Sequence, residues 1–173
     1  MQWWPVLEKE VRQAIKPEMK AVYDSRCSAL FSNSKATLQE CFRRAPDQKL
    51  AVESLEKCAG ERLWSLLKNH PDAKSVAEIS GGGPMSWEEF WQRMEDAMKA
   101  GVKDHVRLVV KEEILAQLTE WRGRFNSIFK SVDKEATGRV PATTFVEALA
   151  RSSSVAVVLG LSSEPSSLPP NPC

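Results

Sequence analysis

The sequence predicts an all-α protein, built of helix–loop–helix units joined by a long amphipathic helix. Three observations predict it. Apolar residues recur at steps of three and four along most of the 173 residues, the period of a helix with one buried face. No run alternates apolar and polar residues long enough to demand a sheet. Helix-breaking residues cluster at a few points, Ala45-Pro46-Asp47, His70-Pro71-Asp72, Gly81-Gly82-Gly83-Pro84 and Asp133 to Gly138, leaving long helical stretches between.

The elements follow in order. Leu7, Val11, Ile15 and Val22 define a first helix that Pro17 is expected to kink or divide. Ser34 is placed to cap a second helix through Leu38, Cys41 and Phe42. A third carries Val52, Leu55, Ala59, Leu63, Leu66 and Leu67 on one face and stops at His70-Pro71. After the glycine run, Ser86-Trp87-Glu88-Glu89 fits a capping box, in which the serine hydroxyl and the glutamate three residues on satisfy each other's free amides. That helix holds Trp87, Phe90, Trp91, Met94 and Met98 and is expected to end near Gly101. The longest helix is expected from Val102 to Val132, with Gly123 marking a bend or a close helix contact. A loop from Asp133 to Gly138 precedes a helix at Ala142 to Ala150, and Val155 to Leu159 reads as a short helix or a strand. The Ser- and Pro-rich tail is expected to be disordered. The segments are thus 1–33, an N-terminal helical segment; 34–101, a helical lobe; 102–161, the long helix with its helix–loop–helix unit; and 162–173, the tail.

Composition narrows the function classes. With 42% hydrophobic and 27% charged residues the chain can bury a core, which argues against wholesale disorder. A net charge of +1, with no dense Lys/Arg cluster, supplies no field for nucleic acid or an anionic membrane. The amino end reaches Glu8-Lys9-Glu10 without an apolar stretch, and the longest uncharged apolar run, Val155 to Leu161, is too short to span a bilayer. Cys27, Cys41, Cys58 and Cys173 are widely spread and lack metal-ligand spacing, so reduced thiols in a soluble, cytoplasmic protein are expected. His70 and His105 read as solvated or capping residues; no nucleophile elbow, phosphate loop or zinc-protease motif is present, and no enzyme is expected.

One motif carries chemistry. From Phe125 to Leu149 the sequence resembles a degenerate EF-hand of the calmodulin-like superfamily, whose twelve-residue calcium loop uses ligands at positions 1, 3, 5, 7, 9 and 12 and glycine at 6. On this chain the resemblance puts Asp133 at position 1, Glu135 at 3, Thr137 at 5, Gly138 at 6, the Arg139 carbonyl at 7, Val140 at 8, Pro141 at 9 and Thr144 at 12. A bidentate glutamate belongs at position 12, and proline offers no side-chain oxygen at 9, so calcium binding is expected to be weak or lost.

Two stretches in segment 34–101 look like more degraded relatives. One, starting near Glu78, has Gly83 at position 6, Met85 at 8 and Glu89 at 12; the other starts at Arg43 and has Leu50 at 8. Their starts are separated by close to the spacing of adjacent hands, and the family joins its loops by a short two-stranded contact at position 8. The loop at Asp133 has no following partner, so it is expected to engage an upstream hand, a second copy or another chain.

The resemblance implies a binding or regulatory protein that holds an amphipathic segment of a partner, the partner being a helical segment or another EF-hand. Trp87, Trp91, Met94, Phe125, Phe129 and Phe145 are the candidate groove residues, although a stripe at this spacing is also what a plain core needs. Trp3 and Trp4 are expected either to fold back onto the domain or to dock on another protein. The alternative is a non-catalytic structural subunit of a larger assembly.

Overall fold

A computed structural model describes residues 3–68 and 83–161. The expected stop at His70-Pro71-Asp72, the glycines Gly81 and Gly82, and the tail 162–173 with Cys173 lie outside them. In chain order the elements are α1 (Trp4–Arg44), a 3₁₀ turn (Pro46–Gln48), β1 (Lys49–Leu50), α2 (Val52–Ala59), α3 (Glu61–Lys68), β2 (Met85–Ser86), α4 (Trp87–Val132), α5 (Ala142–Arg151) and α6 (Ser153–Val158). The protein is all-α. Among the described residues the only sheet is the antiparallel contact of β1 with β2, pairing Lys49 with Ser86 and Leu50 with Met85. None of the described helices is long and apolar enough to cross a membrane.

The described residues form two compact units, one of residues 3–19 with 113–161 and one of residues 20–68 with 83–112; α1 and α4 contribute to both. In the second unit Leu38 and Phe42 of α1, Leu55 of α2, Leu67 of α3 and Phe90 and Met98 of α4 are almost wholly buried. In the first, Val11, Phe125 and Val155 are.

Several boundaries differ from those expected, each for a physical reason. Pro17 does not divide the first helix. Its ring removes one N–H and crowds the Gln13 carbonyl, a cost of about 3 kcal/mol in a helix interior. Gln13 and Pro17 are both exposed, so the carbonyl meets water, and the buried face formed by Val11, Ile15 and Met19 carries α1 across the defect. Ser34 likewise caps nothing: it is buried in the middle of α1, on the face that continues to Leu38 and Cys41. The third expected helix is two helices, broken at Gly60. There φ is +82°, a value L-residues avoid; the Gly60 N–H closes α2 on the Glu56 carbonyl and its own carbonyl accepts the Trp64 N–H that opens α3.

Gly101 ends no helix either, and α4 continues through it to Val132. A methyl group at Gly101 would lie 2.0 Å from the Leu66 carbonyl oxygen and 2.9 Å from its carbon. Glycine is required there because the backbones of α3 and α4 touch. Gly123, by contrast, has no neighbour in range of a methyl group and is exposed, so it marks no close contact. The expected segment boundaries at 33/34 and 101/102 therefore both fall inside continuous helices.

The capping box forms as expected. The Ser86 N–H donates to Glu89 Oε2 at 2.8 Å, the Ser86 hydroxyl reaches the same oxygen at 3.0 Å, and the Glu89 N–H donates back to Ser86 Oγ at 3.3 Å. The backbone bond from Ser86, then its hydroxyl, hold the Glu89 carboxyl below its ordinary pKa. At the far end of α1, Arg43 and then Arg44 hold the Glu40 carboxyl at about 2. The segment Val155 to Leu159 is helical rather than extended, as α6.

The cysteines also depart from expectation. Cys41 and Cys58 are joined in a disulfide across 17 residues, with their Cα atoms 5.9 Å apart, and Cys27 is the free cysteine among the described residues. No sequence motif marks this pair. The reversal through the 3₁₀ turn and β1 lays the end of α2 beside the last turn of α1 and brings the two sulfurs together.

Candidate functional site

The segment expected to carry chemistry is a helix–loop–helix. α4 closes with the Asp133 N–H on the Phe129 carbonyl, the Ala136 N–H turns back to the Asp133 carbonyl, and Ala136 and Gly138 take φ of +52° and +69°. The Asp133 carboxylate anchors the turn: Oδ1 accepts the Thr137 N–H at 3.0 Å and Oδ2 the Gly138 N–H at 2.8 Å. The Thr137 hydroxyl lies 3.2 Å from Asp133 Oδ1 and 3.1 Å from the Arg139 carbonyl, and accepts the Arg139 N–H at 3.2 Å. Asp133, Thr137 and Arg139 are thus brought together, with the carboxylate oxygens already engaged by the loop's own donors. Glu135 and Thr144 are exposed and bond to neither, and Thr144 instead lines a cleft with Ile128, Ser131 and Ala148 between α4 and α5. Among the described residues no three His, Cys, Asp or Glu side chains converge.

Beyond the loop, α5 folds back on α4, with Phe145 edge-on to Phe129 at 5.3 Å between centroids. Phe125, Phe129 and Phe145 form one wall, and the start of α1 fills it. Trp3 stacks on Phe129 at 6.2 Å with 17° between planes and meets Phe125 and Phe145 edge-on at 6.3 and 5.7 Å. Trp4 lies 6.1 Å from Phe125, under the Arg122 guanidinium, and Trp121 closes the other side of Phe125. Of the two fates open to Trp3 and Trp4, folding back is the one adopted. The sequence signal was present in the two indoles; their receptor could not be read from it, because it lies more than a hundred residues away.

Trp87, Trp91 and Met94 belong to the other unit, so the six candidate groove residues make two separate clusters. Trp91 stacks on Trp87 at 5.0 Å, Phe42 packs against Trp87 and Phe90, Phe31 against Trp91, and Lys35 covers the Trp91 ring at 4.7 Å. Met94 is 1% exposed and Phe125 0%: both are enclosed by the chain's own side chains, not open to a visitor.

The two more degraded stretches are linked to each other. Leu50 and Met85, each at position 8 of its stretch, are direct antiparallel partners in the β1–β2 contact. Glu89, at position 12 of the second stretch, spends its carboxylate on the cap of α4.

No protein-family model, curated protein or solved structure matches this chain.

Proposed function

We propose that this is a non-catalytic, EF-hand-like binding protein whose α4–α5 unit grips a tryptophan-led amphipathic helix, with calcium held weakly or not at all. One observation carries the reading: Trp3 already sits in the aromatic groove of Phe125, Phe129 and Phe145, so the groove has the shape and chemistry to accept a helix led by an indole. The EF-hand relationship is supported by the Leu50–Met85 pairing, which joins two loop-like stretches where that family joins its loops. In this chain the gripped helix is its own α1, and a partner's segment competes for the same place.

The test uses the full chain with Trp3→Ala and Trp4→Ala together, and a synthetic peptide of residues 2–16. The variant, its groove vacated, is expected to bind the peptide at least tenfold more tightly than the unaltered chain does, read from the peptide's tryptophan fluorescence. Equal affinities, or no binding by a variant whose helical circular dichroism is intact, would remove the groove from the argument.

Calcium fits poorly. Both oxygens of Asp133 already accept loop N–H groups, and Thr144 offers one neutral hydroxyl where two carboxylate oxygens are needed. Titration calorimetry with millimolar calcium is expected to give only heats of dilution. A saturable heat already at about micromolar calcium, abolished by Asp133→Ala, would overturn this part of the reading.

A further inference from the structure

The geometry points to the Cys41–Cys58 disulfide as a redox-controlled strap that holds α2 against α1 and sets the width of the cleft between them. The cleft, about 500 Å³, has α1 as one wall, through Leu30, Ser34 and Thr37, and the α2–α3 turn as the other, through Ala59, Gly60 and Leu66. Cys41 is one turn beyond Thr37 on α1, and Cys58 immediately precedes Ala59. The bond therefore ties the two walls at one end. α3 is fixed independently, by the burial of Trp64 and Leu67 and by the close approach of Leu66 to Gly101 of α4, but α2 is not. α2 has eight residues, no side-chain cap, and only Val52 and Leu55 buried, while β1 contributes two residues. A helix this short does not hold itself in water.

The two sulfurs differ in access. Cys41 is 4% exposed, whereas Cys58 lies in an exposed position on α2. Reduction by a dithiol accordingly begins at Cys58. A reductant thiolate attacks Cys58 Sγ, the new S–S bond forms as the Cys41–Cys58 bond breaks, and Cys41 leaves as a thiolate that takes up a proton. The second reductant thiol then displaces Cys58, which is protonated in turn. Two electrons and two protons have passed to the protein, and the reductant holds the disulfide. With the strap released, α2 is free to swing from α1 about the turn at Gly60 and widen the cleft, while α3 stays on α4.

Hydrogen exchange on the full chain, oxidised and after a dithiol, tests this; Cys27→Ser is included to prevent reshuffling. On reduction, amides of residues 52–59 should lose at least tenfold protection while those of 113–132 are unchanged, and reoxidation should restore them. The double variant Cys41→Ala with Cys58→Ala should match the reduced form and ignore the dithiol. The proposal is overturned if non-reducing peptide mapping of the oxidised protein finds both thiols free. It also fails if reduction leaves residues 52–59 protected, if protection falls evenly along the chain, or if the double variant still responds to the dithiol.

Discussion

Gly101→Ala is expected to destabilise the protein by about 3 kcal/mol or more, at the upper end of the range for overpacking a close-packed interior. The added methyl would lie 2.0 Å from the Leu66 carbonyl oxygen, and the atoms it meets are backbone, so no rotamer change relieves the clash. Either α3 withdraws from α4, uncovering Leu67 and Trp64, or α4 distorts around residues that bury Ala97, Met98 and Val102. Alanine's better helix propensity returns only about 1 kcal/mol. Thermal unfolding should therefore fall by roughly 6–12 °C for a chain of this length. Gly123→Ala, in the same helix but in open space, is the control and should raise the midpoint by roughly 2–4 °C. If the two variants melt alike, α3 and α4 do not approach as described.

These two glycines also show what a sequence can and cannot disclose. The capping box at Ser86–Glu89, the turn at Gly138 and the helix that follows were legible because their signals are local: a cap needs residues three apart, and a positive φ needs glycine at one place. Glycine in a helical pattern is ambiguous. At Gly60 it breaks the helix, at Gly101 it admits another backbone, and at Gly123 it does neither. Only the presence or absence of Leu66 nearby separates the last two, and that is tertiary information. Pro17 is the same problem reversed, since burial of Val11, Ile15 and Met19 outweighs a strong local breaker. The Cys41–Cys58 bond and the seat of Trp3 depend on residues distant in sequence, so no local pattern announced them. Aromatic residues at helical spacing announced a packed face but not what would cover it. In both units α1 supplies part of the cover, through Trp4, with Trp3 just before the helix, in one and Phe31 and Phe42 in the other.

Phe125→Ala should cost about 3–5 kcal/mol, the usual range for deleting a fully buried phenylalanine. Its ring is 0% exposed and touches Trp3 and Trp4 from the amino end and Trp121 from the preceding turn of α4. Collapse into the vacancy would require all three to shift, which favours an open cavity and hence the upper part of that range. Phe129→Ala, by contrast, removes a half-buried ring whose face stacks on Trp3, and should cost less while weakening the hold on α1 more selectively. A double-mutant cycle distinguishes packing from grip. Aromatic pairs contribute about 0.5–1.5 kcal/mol beyond area burial, so Trp3→Ala and Phe129→Ala should be non-additive by that amount. Trp3→Ala with Trp91→Ala, whose partners lie in different units, should be additive within about 0.5 kcal/mol. Were the first pair additive as well, Trp3 would rest on the aromatic wall without being held by it.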